Sequence, residues 1–379
     1  MNKILSRKRI GETVEQIFGT HEHQRRKSTM TDIIYGILYS QKLSITWVGR
    51  SVAFLLQVSP KHCIKRVDRF LGNHLVRTEM LIDCYARWLT ERRRSIVVSL
   101  DWTEYGKDRQ HRLAVNLVTS HGRATPLLWK TYGYGEIRNK RSYFERAILR
   151  RLKTLLADDC AVTVLADRGF IDAKMMRMIR RRLKWDYVIR LRSSMTMRVG
   201  KGRLACLSTY LPRGNRAVIY NDVLLTGRGN PVPSVVIVKD PAAKEPWYLA
   251  SSIAGSKEII IALYRKRFTC EEQFRDEKDP RFGLGTTQTR FSTCARRDRL
   301  LLVNAIATVL LTVLGAVGEK LGYDRQLRAN TARKRTHSLF RQGKEYLKGV
   351  MPDYVRAFSQ GFTAMLKALR VNSTTYAIC

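Results

Sequence analysis

Ile96-Val97-Val98-Ser99-Leu100-Asp101 is the stretch on which the fold is decided. A run of aliphatic and β-branched residues leads to a single carboxylate, placed where burial disfavours charge. A second run, Ala161-Val162-Thr163-Val164-Leu165-Ala166, ends on Asp167 in the same way. Short continuous apolar runs read as strands buried on both faces, the habit of parallel sheets. Between them lie two more strand-like stretches, residues 112–120 and 124–132, joined by His121-Gly122-Arg123 as a hairpin turn. A helical stretch over residues 142–156 follows. Strand, strand, strand, helix, strand is the order of an α/β, RNase H-like core, in which three adjacent strands lead through a helix to a parallel fourth. Both aspartates are expected at the C-terminal ends of their strands, where open α/β sheets place their sites.

Working outward, residues 1–92 read as helical. Thr46-Trp47-Val48-Gly49-Arg50 and Cys63-Ile64-Lys65-Arg66-Val67-Asp68-Arg69-Phe70 form two short helices about a turn, the second basic on one side. That pattern suits a helix-turn-helix reader of the major groove, and it suits an ordinary helical bundle equally. Residues 193–253 are rich in Gly, Pro and β-formers and read as a β-rich insertion. The expected organisation is a helical N-terminal DNA-binding region (1–92), a first part of the core (93–192), the insertion (193–253), a second part of the core (254–322) and a basic helical C-terminal region (323–379). Residues 300–317 are almost wholly apolar and about as long as the shortest membrane spans; with Asn304, Thr308 and Thr312 inside, they are expected to be a buried helix packed on the sheet.

Charge narrows the partners. Seventy Lys and Arg against 32 Asp and Glu give a formal net charge of +38, so a polyanion is expected, since each neutralised phosphate releases condensed counterions. Clusters such as Arg92-Arg93-Arg94, Arg180-Arg181-Arg182 and Arg333-Lys334-Arg335 are dispersed, which argues against one juxtamembrane patch and for nucleic acid. Seven cysteines show no metal-ligand spacing and read as reduced thiols. The basic start lacks the apolar run of an export signal, so a cytoplasmic, nucleoid-associated protein with no membrane partner is expected.

Two-metal phosphodiester chemistry needs several converging carboxylates, and acidic residues are scarce here, so Asp101 and Asp167 stand out. A third candidate lies in Tyr264-Arg265-Lys266-Arg267-Phe268-Thr269-Cys270-Glu271-Glu272-Gln273-Phe274-Arg275-Asp276-Glu277-Lys278. Drawn as one helix, this segment puts Tyr264, Arg267, Glu271 and Lys278 within roughly 60° on one face. The plainer reading is a solvated helix with Arg267 and Glu271 as an i,i+4 ion pair.

These residues carry a resemblance. The pattern Tyr-x2-Arg-x3-Glu-x6-Lys at Tyr264, Arg267, Glu271 and Lys278 is similar to the signature of the insertion-sequence-four family of DDE transposases. Ser99-Leu100-Asp101-Trp102, Ala166-Asp167-Arg168-Gly169-Phe170, Glu245-Pro246-Trp247-Tyr248-Leu249-Ala250 and Phe282-Gly283-Leu284-Gly285 resemble that family in its order, most nearly its Tn-ten type. The resemblance implies cut-and-paste transposition of an insertion sequence. Asp101, Asp167 and Glu271 would hold Mg²⁺, with Mn²⁺ able to substitute; water would nick a transposon end; the freed 3′-OH would form a hairpin and later join target DNA. Tyr264, Arg267, Lys278 and Arg168 would contact DNA phosphates, and Trp247 would stack on a flipped base, unless it is an aromatic of the insertion's own core. Terminal inverted repeats and target DNA are the implied partners, with a homodimer in the synaptic complex. The alternatives are an RNase H-like nuclease without strand transfer and a catalytically decayed DNA-binding protein.

Overall fold

Strand β1 (Ser95–Tyr105) is the axis of the architecture in a computed structural model that describes residues 5–214, 216–240, 243–281, 283–286, 289–333, 335–349 and 355–369. On one side it pairs antiparallel with β2 (Gln110–Leu117), which pairs antiparallel with β3 (Thr125–Gly133). On the other it pairs in parallel with β4 (Ala161–Ala166), which is followed in parallel by β5 (Asp186–Arg190). Helix α6 (Arg141–Lys153) makes the crossover from β3 to β4. The expected strand order therefore forms, with ends shifted by a few residues.

The sheet does not stop there. Strands β6 (Thr196–Val199), β7 (Ala205–Cys206), β8 (Val218–Leu225), β9 (Asn230–Val238) and β10 (Trp247–Ser251) continue it, in the order β3-β2-β1-β4-β5-β10-β9-β8-β6-β7. The β-rich segment is thus no separate body: β10 pairs antiparallel with β5, Ala250 opposite Ile189, and one ten-stranded sheet results.

Residues alternating along these strands divide the helices between the two faces. Leu165, Val188 and Leu249 pack with Ile260, Ile261 and Tyr264 of α8 (Lys257–Arg265). The next residues in register, Tyr187 and Ile189, join the main core, which includes Met176 of α7 (Ala173–Arg177) and Ile179 of the π-helical segment Met178–Leu183. Helix α9 (Thr269–Lys278) follows α8 after a tighter 3-10 turn, Lys266–Phe268. The segment 264–278 is consequently not the single helix expected, and its four signature residues do not line one continuous ridge.

Helices α1 (Arg7–Phe18), α2 (Gln24–Ser40), α3 (Ile45–Leu56), α4 (Pro60–Gly72) and α5 (Thr78–Thr90) precede the sheet. Their apolar faces share the main core with α10 (Cys294–Lys320). Helix α10 is the one described helix apolar and long enough to cross a membrane; 94% of its most apolar window is buried inside the fold. It is covered by β3, by α11 (Leu339–Leu347) and by α12 (Val355–Leu369). At the α10–α11 crossing a Cβ on Gly315 would stand 1.9 Å from the Leu339 carbonyl oxygen, so only glycine permits this approach. Residues 370–379, Lys334 and Phe282 lie outside the described residues.

Candidate active site

The β1–β4 ladder ends with Ser99 opposite Leu165. Two residues further on come Asp101 and Asp167, which this register brings level on the α8–α9 face. Asp101 is not at the end of its strand as expected. Strand β1 runs on to Tyr105 because β2 keeps pairing with it, Asp101 opposite Ala114. Asp167 does leave its strand, and its Oδ1 accepts the Gly169 amide at 2.8 Å, capping the 3-10 turn Arg168–Phe170. Glu271 stands in the first turn of α9, exposed, with its Oε1 accepting from Arg267 Nη2 at 2.6 Å.

Asp101 carries the marked electrostatic perturbation. Burial pushes the Asp101 carboxyl up to about 6; the Arg267 guanidinium opposes the shift, the charges of Asp167 and Glu271 add to it, and the Trp102 backbone amide opposes it. Beneath Asp101 lies the fully buried thiol of Cys270, which donates to Oδ2 at 3.9 Å and accepts from Asn116 Nδ2 at 3.1 Å. Burial and the Asp101 charge push that thiol up to about 12, so it acts as a neutral donor.

Helix α9 is strapped to the sheet along its length. The Ala124 amide donates to the Thr269 carbonyl at 3.0 Å, and Arg123 pairs with Asp276 at 2.8 Å and with Glu272 at 3.3 Å. At its end, Glu277 is buried against Arg112 of β2 at 2.9 Å, their side chains 1% and 2% exposed, and it accepts the Tyr105 hydroxyl at 3.0 Å. Sequence reasoning missed Arg112 and Glu277. The available signal was an arginine in a strand-like stretch leading into Leu113-Ala114-Val115, a residue type almost never buried unless paired.

Three carboxylates are hard oxygen donors of the kind that hold Mg²⁺. The donors fit such a cation in kind, and their mutual repulsion at Asp101 is what a cation would relieve. In position they are not drawn together: among the described residues, no three His, Cys, Asp or Glu side chains stand close enough to share a metal ion. Like charges repel, and Glu271 is turned instead to Arg267.

The other expected site residues are placed as follows. Tyr264 is fully buried and edge-on to Trp247 at 5.0 Å. Arg267 is buried too, its guanidinium 4.9 Å from the Phe268 ring centroid and on Glu271, as the ion-pair reading has it. Lys278 lies over the rings of Tyr105 and Phe274, each at 5.7 Å, and burial lowers its amine's pKa. Arg168 is exposed and bonds Glu245 Oε2 at 2.9 Å, which Arg190 also reaches at 3.1 Å. Trp247 is 2% exposed, packed between Tyr264 and a stacked Phe268 at 5.8 Å.

No curated protein matches the chain. The family described as Transposase DDE domain matches residues 102–310, starting one residue after Asp101 and containing Asp167 and Glu271. That match covers more than half of the chain, and the protein belongs to the DDE transposases.

Proposed function

We propose that the protein is a metal-dependent transposase of the insertion-sequence-four family, of the Tn-ten type, that moves an insertion sequence by cut and paste. The observation that carries this reading is positional: Asp101 on β1 and Asp167 just past β4 lie on adjacent parallel strands, Glu271 stands in the first turn of α9, and Asp167 and Glu271 fall inside the matched transposase domain. An RNase H-like core is supported by the order β3-β2-β1-β4-β5, in which only β2 runs against the others.

Mg²⁺ held by Asp101, Asp167 and Glu271, with Mn²⁺ as a substitute, would supply charge neutralisation at the phosphate and favour a deprotonated attacking oxygen. The chain's own groups set the conditions. Asp101, Asp167 and Glu271 would offer their carboxylates, and Arg267 and Lys278 would contact DNA phosphates. Water attacks first at the transposon end, and the freed 3′-OH attacks the opposite strand to form a hairpin, then target DNA. End recognition falls to α3 and α4, which are joined by three residues and cross so closely that a Cβ on Gly49 would stand 2.6 Å from Ile64 Cα. That close crossing supports a helix-turn-helix reading, with Lys61, His62, Lys65 and Arg69 exposed on α4 for a DNA groove. The partners are terminal inverted repeats and target DNA, bound by a homodimer in the cytoplasm on the nucleoid.

The test incubates Asp101→Asn, Asp167→Asn and Glu271→Gln with end-bearing DNA and Mg²⁺. Each is expected to lose cleavage while keeping DNA binding, and retained cleavage in any one overturns the triad. With the unmodified protein, cleavage without joining would make it a nuclease, and binding without cleavage a decayed transposase.

A further inference from the structure

A cavity of about 870 Å³ opens between the α7–π-helical segment and the β8–β9 hairpin. It lies on the face of the sheet opposite α8, because Tyr187 lines it while the adjacent Val188 packs on Ile260 and Tyr264. Its floor is apolar, formed by Ile171, Met176, Val223 and Leu225. Its rim is basic: Arg177, Arg180 and Arg181 on the helical wall, Arg228 on the hairpin wall, and Asp222 as the single carboxylate of the lining. Arg180 is engaged with Asp186 at 3.1 Å, whereas Arg177, Arg181 and Arg228 are exposed at the mouth.

Both walls are built from uncommon backbone. One carries the π-helical turn Met178–Leu183, a geometry that recurs at functional sites. The other holds Asp222 and Thr226 at φ of 51° and 63°, in the left-handed region. Three residues along the chain separate Asp167 from Ile171 of the groove, a span of at most about 14 Å for an extended chain, although groove and carboxylates face opposite sides of the sheet.

We propose that this groove is a track for a single DNA strand, with backbone phosphates on Arg177, Arg181 and Arg228 and bases laid against the apolar floor. Charge favours a polyanion. The floor selects an unpaired strand, because a duplex would offer it only hydrated phosphate, whereas a single strand offers apolar base faces as well. The site is distinct from the three carboxylates and from α3–α4, and it rests on the transposase reading only in taking the nucleic acid to be DNA.

The test is photocrosslinking of the full chain to a single-stranded oligonucleotide carrying 4-thiothymidine, in a chelator so that no cleavage is involved, with the linked residues mapped by mass spectrometry. Crosslinks are expected within 171–181 and 222–233, and Arg181→Ala/Arg228→Ala should reduce them at least fivefold while leaving crosslinks to α4 unchanged. The same variant should flatten the salt dependence of single-strand binding by about 1.4 units of slope, at about 0.7 for each phosphate no longer neutralised. Crosslinks absent from both segments overturn the proposal. So does their complete blockade by an acidic amphipathic peptide at a concentration that leaves α4 crosslinks intact, which would make the groove a protein-docking site. Asp167→Asn separates the two readings: it must keep these crosslinks, so lost cleavage with crosslinks retained bears on the carboxylates alone.

Discussion

Glu277→Gln removes one charge and little volume, which makes it a sharp probe of how α9 is fixed. Glu277 and Arg112 are 2.9 Å apart and nearly fully buried, and Glu277 also accepts from Tyr105 at 3.0 Å and from Gln273 at 3.3 Å. The amide retains part of that hydrogen bonding but leaves the guanidinium without its counter-charge. Breaking a buried pair by removing one partner costs about 3–5 kcal/mol, and the nearby Asp298 carboxyl, which also acts on Arg112, puts the expectation at the lower end, about 3 kcal/mol. At roughly 2–4 °C per kcal/mol for a large domain, the melting temperature should fall by about 6–12 °C. The assay is thermal and urea unfolding of the single variant beside Arg112→Met/Glu277→Met, in which neither charge remains and most of the loss should be recovered. A fall below about 2 °C for Glu277→Gln, or a double variant no more stable than the single one, would refute the argument that this pair anchors the helix bearing Glu271.

Two further expectations follow from burial. The Asp101 and Asp298 carboxyls are both raised by burial to about 6, above their unfolded value, so the stability each contributes is full below about pH 4 and is lost as pH rises through about 6. Metal-free Asp101→Asn should therefore gain on the unmodified protein as pH rises from 4 to 7, measured as the gap between their melting temperatures, and a constant gap would contradict it. Trp247→Ala should cost about 3–5 kcal/mol, as for any large core aromatic, and depress nicking and hairpin formation together; selective slowing of the hairpin step at unchanged stability would restore a base-stacking role.

Much of the core was legible because its signals are local. The runs ending near Asp101 and Asp167 are apolar over five or six consecutive residues, and α10 is apolar over several turns, so their burial follows from composition whatever they pack against. The scarcity of acids singled out the carboxylates in the same local way. Tertiary structure decided what depended on distant partners. Strand β5, only five residues long, carries too short a pattern to be read from sequence, yet its pairing with β4 and β10 merges core and insertion into one sheet. Pattern alone could not place Trp247 beside Tyr264 and Phe268, which only the folded chain brings over it. Arg112 and Glu277 lie 165 residues apart, and the sequence around Arg112 signals only that it needs a partner, not which residue supplies it. Periodicity reports which face of an element avoids water, but whether a charge or an indole is tolerated inside depends on the group that meets it there, and only the folded chain supplies that group.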